Sequence, residues 1–137
     1  MLDCLILGDS IAVGVDSFMT KPCYSYMKPG INSWQYNKQY VKDRKNDFGA
    51  EVVIISLGSN DHAGVKTYNE LYKLRERIKA QRVYWVLPNP EKFPKQADDV
   101  NLIATSFGDF VLKTKRYQAD KVHPSWAGYK ELADEAK

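Results

Sequence analysis

The 137-residue chain has little of what marks several protein classes. Cys4 and Cys23 are its only cysteines, and they form no CxxC pair. No disulfide framework is expected. Cys4, inside an apolar run, reads as a small buried hydrophobe with a free thiol, compatible with a reducing compartment. The two histidines, His62 and His123, lack HxxxH or HxH spacing, so no metal site is expected. Neither GxGxxG nor GxxxxGK(S/T) occurs, which argues against a phosphate cradle. Charge of one sign is also scarce: 20 Lys and Arg against 17 Asp and Glu give a net charge of +3. The densest basic run, Lys113-Thr114-Lys115-Arg116, is too short to imply nucleic acid. No apolar run approaches a membrane span, and the N-terminus shows no charged and apolar regions of a signal peptide. A cytoplasmic protein, or one released without a visible signal peptide, is the expectation.

What is present is an ordinary globular composition, 44% hydrophobic and 27% charged, long enough for one core and read as one domain over residues 1–137. Apolar β-like runs alternate with helical patterns. Strands are expected at Leu2 to Leu7, more weakly at Cys23 to Met27, at Val52 to Ile55, at Arg82 to Leu87 and at Asp109 to Leu112. Helices are expected from about Ile11 to Phe18, around Trp34 to Val41 and ending near Lys42 to Asn46, and from Gln96 to Ser106. Others are expected through Leu71, Leu74 and Ile78, and from Ser125 onward. The run Val52 to Ile55 is continuous and β-branched, as in a parallel strand covered on both faces. The whole reads as a doubly wound α/β domain of about five parallel strands, in which ligands bind beyond the carboxyl ends of strands.

Three polar patches fall where such a fold gathers them. Gly8-Asp9-Ser10 follows the first strand, Gly58-Ser59-Asn60-Asp61 follows "VVIISL", and Asp120-Lys121-Val122-His123-Pro124 precedes the last helix. Each alone has a structural explanation: a helix cap at Asp9 or Ser10, a turn at Gly58, a helix boundary capped by Ser125. Together they hold the parts of acyl transfer: a nucleophile, a base, a group orienting the base, and donors for an oxyanion. Ser10 is the candidate nucleophile. His123, with Asp120 three residues earlier, is preferred as base over His62, which reads as a rim residue. Asn60 can offer its amide to an oxyanion. Trp34, Tyr36, Tyr40, Trp126 and Tyr129 read chiefly as packing on helix faces, with Trp34, Tyr36 and Trp126 as candidate rim contacts.

The stretches "LGDSIAVG", "SLGSND" and "DKVHPSWAGY" resemble three of the four signature blocks of the SGNH (GDSL-type) hydrolases, in the family's order and from residue 5 to residue 130. The resemblance implies a flavodoxin-like α/β/α sandwich and hydrolysis of esters, thioesters or acetylated carbohydrates. It implies Ser10 as nucleophile, Asn60 as oxyanion donor beside the Ser10 N–H, and Asp120 and His123 as the remaining catalytic pair. The fourth block, a glycine after the second strand, matches Gly30 in "KPGINSW", with Ser33 as the alternative. No metal or organic cofactor is implied. The expected substrate is a small acyl ester or an acetylated carbohydrate, cleaved through an acyl-serine intermediate in a shallow, open groove. A lipase or thioesterase, or a binding module that kept the fold without turnover, are the alternatives.

Overall fold

The computed structural model describes residues 2–42 and 48–136. Five strands, β1 (Leu2–Gly8), β2 (Tyr24–Met27), β3 (Phe48–Ser56), β4 (Ile78–Val86) and β5 (Phe110–Leu112), form one parallel sheet in the order β2-β1-β3-β4-β5. This is the flavodoxin-like order, with its switch point between β1 and β3. The helices are α1 (Ser10–Ser17), α2 (Ser33–Tyr36), α3 (Thr67–Glu76), α4 (Pro94–Phe107) and α5 (Trp126–Glu135). A π-helical turn, Asn37–Val41, continues α2. The expected end of that helix near Lys42 to Asn46 lies, past Lys42, outside the described residues.

Strand alternation splits the core into two layers. Leu5, Leu7, Val53, Ile55, Val83 and Trp85 face α2, α3 and α4. Cys4, Ile6, Val52, Ile54, Tyr84 and Val86 face α1 and α5. The continuous apolar run of β3 is thus covered on both sides, as its composition predicts. Each fully buried Ile or Leu contributes roughly 1.5–3 kcal/mol. On the second face α1 and α5 approach closely because residue 14 is glycine: a Cβ there would sit within the ring of Tyr129.

Three expectations are corrected. Cys4 and Cys23 are bonded as a disulfide that ties β1 to the segment entering β2, so Cys4 is not a free thiol. The spacing of Leu71, Leu74 and Ile78 suggested one helix, but α3 ends at Glu76 and Ile78 opens β4. There it pairs with Phe48 and joins the same buried layer. Tyr36 packs, as its chief reading has it, and only the rim alternative falls: its ring is fully buried and its hydroxyl donates to the Tyr26 carbonyl at 2.7 Å.

Candidate active site

The turn leaving β1 serves both purposes that its sequence allows. Gly8 has φ +145°, and a Cβ there would overlap the Ser56 carbonyl oxygen at the end of β3. Glycine lets the two strand ends stay in register, and the Asp9 N–H then donates to Ser56 O at 3.0 Å. Asp9 is the N-cap of α1, its Oδ1 accepting from Ile11 N–H at 3.0 Å. The capping is done by Asp9, which leaves the Ser10 side chain free of it. Ser10 N–H, as the first amide of α1, belongs to the turn that has no intrahelical acceptor.

Between β5 and α5 the chain makes a loop closed on itself. Gln118 N–H donates to His123 O at 2.8 Å, Ser125 N–H donates to Arg116 O at 2.9 Å, and Tyr117 and Pro124 form an isolated bridge. Ser125 caps α5 by accepting from Gly128 N–H, as its position suggests. The loop carries His123 to the end of β1, where Nε2 lies 2.9 Å from Ser10 Oγ. The other ring nitrogen, Nδ1, lies 2.7 Å from Asp120 Oδ2. Asp120 Oδ1 accepts from the N–H groups of Val122 and His123 at 2.8 and 3.0 Å. The His123 ring, foremost, and these two amides hold the Asp120 carboxyl well below the ordinary carboxylate range. The side chains of His123 and Asp120 remain 34% and 45% exposed, so the pair is open to solvent.

Asn60 sits in the turn after β3, its Nδ2 donating to Ile31 O at 3.1 Å and to Asp9 Oδ2 at 3.4 Å. It therefore joins the β1 turn to the Lys28–Ile31 turn, whose exposed residue Gly30 has φ +79°. Ser33 is otherwise engaged: its N–H and its Oγ both donate to Asp61, each at 2.8 Å. Asp61 also accepts from Thr67 Oγ1 at 2.8 Å and is buried. It meets Ser33 and Thr67, the first residues of α2 and α3, where helix dipoles favour an anion. The cap at Asp9 was legible in the sequence, but the roles of Asp61 and Thr67, and the contacts of Asp9 with Ser56 and Asn60, were not. The one available signal was the placement of each acid directly beside a motif residue.

Asp9 is 1% exposed, and its carboxyl accepts from Ile11 N–H and from Ser56 Oγ at 3.2 Å. Burial nevertheless outweighs these bonds and pushes its pKa up to about 7. His62 lies apart from the Ser10–His123 contact, its Nδ1 accepting from Gly64 N–H at 3.0 Å on the exposed surface. Of the aromatic residues, Tyr129 is buried between α1 and α5, and Tyr40 packs on Tyr36 and Tyr26. Trp34 and Trp126 are exposed. Lys38 covers the ring of the first, and the second meets Phe18, at the C-terminal end of α1, edge-on. No group of metal-ligating side chains occurs among the described residues, and no described helix is long and apolar enough to cross a membrane.

No family model matches the chain, and no curated protein matches it in sequence. Solved structures do match in fold. A member of the lipolytic protein G-D-S-L family from Veillonella parvula DSM 2008 superposes with a TM-score of 0.67 at 16% identity, over 99% of this chain and 96% of that one. The C-terminal catalytic domain of Streptococcus pneumoniae peptidoglycan O-acetyltransferase A (OatA), solved with a methylsulfonyl adduct, superposes with a TM-score of 0.64. Its identity is also 16%, over 97% of this chain and 89% of that one. With its parallel sheet ordered 2-1-3-4-5 and covered by helices on both faces, this chain has the α/β/α sandwich fold of the SGNH (GDSL-type) hydrolases.

Proposed function

We propose that the chain is a serine acyl hydrolase that cleaves short-chain acyl esters, O-acetyl groups on carbohydrate among them. The observation that carries this reading is the unbroken contact from Ser10 Oγ through the His123 ring to Asp120, made by residues 113 positions apart. Ser10 Oγ attacks the ester carbonyl as its proton passes to His123 Nε2. Asp120 holds the ring with Nδ1 protonated and stabilises the imidazolium. The carbonyl oxygen, now negative, takes donors from Ser10 N–H, Gly30 N–H and the Asn60 amide. The long Asn60 contact to Asp9 is the one exchanged for the oxyanion. As the tetrahedral intermediate collapses, His123 returns the proton to the leaving alkoxide and the acyl group remains on Ser10. Water, deprotonated by His123, then attacks the acyl-enzyme and releases the acid.

The solvent exposure of His123 and Asp120 supports a small acyl group and a bulky alcohol, because a long chain finds little apolar wall there. Labelling with a fluorophosphonate serine probe tests the reading. Wild type is expected to label and Ser10→Ala is not. A folded wild-type protein that never labels favours a binding module on the same fold. The likeness to an O-acetyltransferase domain supports a second reading, in which a sugar hydroxyl takes the place of water. Adding a sugar acceptor to a turnover assay separates the two: acetylated sugar forms only if transfer competes with hydrolysis.

A further inference from the structure

A groove of about 580 Å³ opens beside the loop that carries Asp120 and His123, and the proposed chemistry makes no use of it. Its floor begins at Leu87, directly after β4, and its wall includes Lys113, directly after β5. It therefore lies on the carboxyl edge of the sheet, as Ser10 does. In the order β1-β3-β4-β5 those strand ends stand two and three places from β1, roughly 10–15 Å at the usual strand spacing. Lys113, Lys115 and Lys121 line it, with Glu91 as the one acidic side chain. Lys115 is drawn toward Glu135 at 3.5 Å, while Lys113 and Lys121 form no ion pair among the described residues.

The groove is also built into the catalytic loop. Lys121 has φ +60°, a conformation rare outside glycine and asparagine. It is held so by the buried Asn89, whose Nδ2 donates to Lys121 O at 2.8 Å. Lys92 Nζ donates to the neighbouring Asp120 carbonyl at 2.9 Å. The backbone that presents the Lys121 ammonium to the groove thus also sets Asp120 and His123. A volume of this size admits part of an oligomer, and the surplus of cations over Glu91 selects negative charge.

We propose that this groove binds anionic groups, carboxylate or phosphate, on the alcohol portion of the acylated substrate, with the ester at Ser10 and the chain running along the sheet edge toward β5. The assignment of substrate class rests on the ester-hydrolase reading; the groove's anion binding does not. Calorimetric titration of the wild-type protein with tetragalacturonate, a short linear polyphosphate and neutral maltotetraose tests it. At least one anionic oligomer is expected to bind about tenfold or more tighter than maltotetraose, and to weaken at high salt. Binding confined to tetragalacturonate or to polyphosphate identifies the group recognised. The double variant Lys113→Glu/Lys115→Gln, which leaves the turn from Asp120 to His123 untouched, is expected to lose most of the difference while hydrolysing p-nitrophenyl acetate within about twofold of wild type. Equal binding of neutral and anionic oligomers, no binding of any, or an unchanged preference in the double variant overturns the proposal. A wild type that binds the anion but never cleaves p-nitrophenyl acetate instead removes the hydrolase reading and leaves the groove standing.

Discussion

Ser33 N–H donates to Asp61 Oδ1 at 2.8 Å, and Ser33 Oγ donates to Asp61 Oδ2 at the same distance. With its amide committed to a buried carboxylate, Ser33 has none to offer a substrate oxygen. This is the reason that Gly30, of the two candidates after the second strand, is the one we propose for the oxyanion hole. The same carboxylate fixes the turn bearing Gly30 relative to the turn bearing Asn60, because Asp61 follows Asn60 in the chain.

Asp61→Ala is expected to lower kcat by on the order of ten- to a hundredfold with a smaller change in KM, since it lets the donors drift apart. Asp61→Asn keeps an oxygen for the Ser33 N–H and should recover part of the loss. A variant that melts earlier but turns over normally well below its Tm shows the clamp to be structural only.

Within the proposed chemistry, Ser10→Ala and His123→Gln should each remove nearly all esterase activity. Asp120→Asn should leave more, because Asp120 positions the base and transfers no proton. Asn60→Ala should cost about 10²–10³ in kcat. Steady-state kinetics on p-nitrophenyl acetate reads all four, and a His62→Gln variant as impaired as His123→Gln would mean that the base has been misassigned.

Burial pushes Asp9 up to about 7, above its unfolded value. Such a carboxyl takes up a proton on folding between the two values. Its contribution to stability is fully present below about pH 4 and is lost as pH rises through about 7. The Tm of wild type should therefore rise relative to that of Asp9→Asn as pH falls from about 8 to about 5. Asp120 is shifted the other way, so its contribution is present above the ordinary carboxylate range and lost only in stronger acid. Parallel Tm curves for the two proteins across that window exclude Asp9 as a titrating group.

Gly14→Ala should destabilise the fold by about 1–3 kcal/mol, because the new methyl group competes with the Tyr129 ring for the same space between α1 and α5. Urea denaturation measures the loss. The companion Tyr129→Leu, which empties that space, should make the two substitutions non-additive.

Along a series of p-nitrophenyl esters, kcat/KM is expected to fall from acetate to octanoate. A deep apolar pocket gains about 0.8 kcal/mol per buried CH₂, and the exposed site gains little of it. A steady rise with chain length points to a lipase or thioesterase.

Short-range chemistry made much of this protein legible from its residues. The β-branched run Val52 to Ile55 and the helix-capping Ser125 act through neighbours within a few positions. The alternation of strands and helices implied a doubly wound parallel sheet, and three polar patches at strand ends implied one site. Tertiary structure decided whatever depends on partners distant in the chain. Ile78 has helical spacing from Leu74, yet pairing with Phe48 makes it a strand residue. Tyr36 reads as packing or as a rim contact until the fold buries its ring and gives its hydroxyl the Tyr26 carbonyl. Cys4 and Cys23 lie 19 residues apart, and only the adjacency of β1 and β2 brings their sulfurs together. Asp9 and Asp61 differ little in sequence, each an acid beside a motif residue. Desolvation dominates at Asp9, whereas Asp61 receives three short hydrogen bonds at the starts of two helices. The periodicity of a chain records which face of an element is apolar; which polar groups meet there is set by the closure of the sheet.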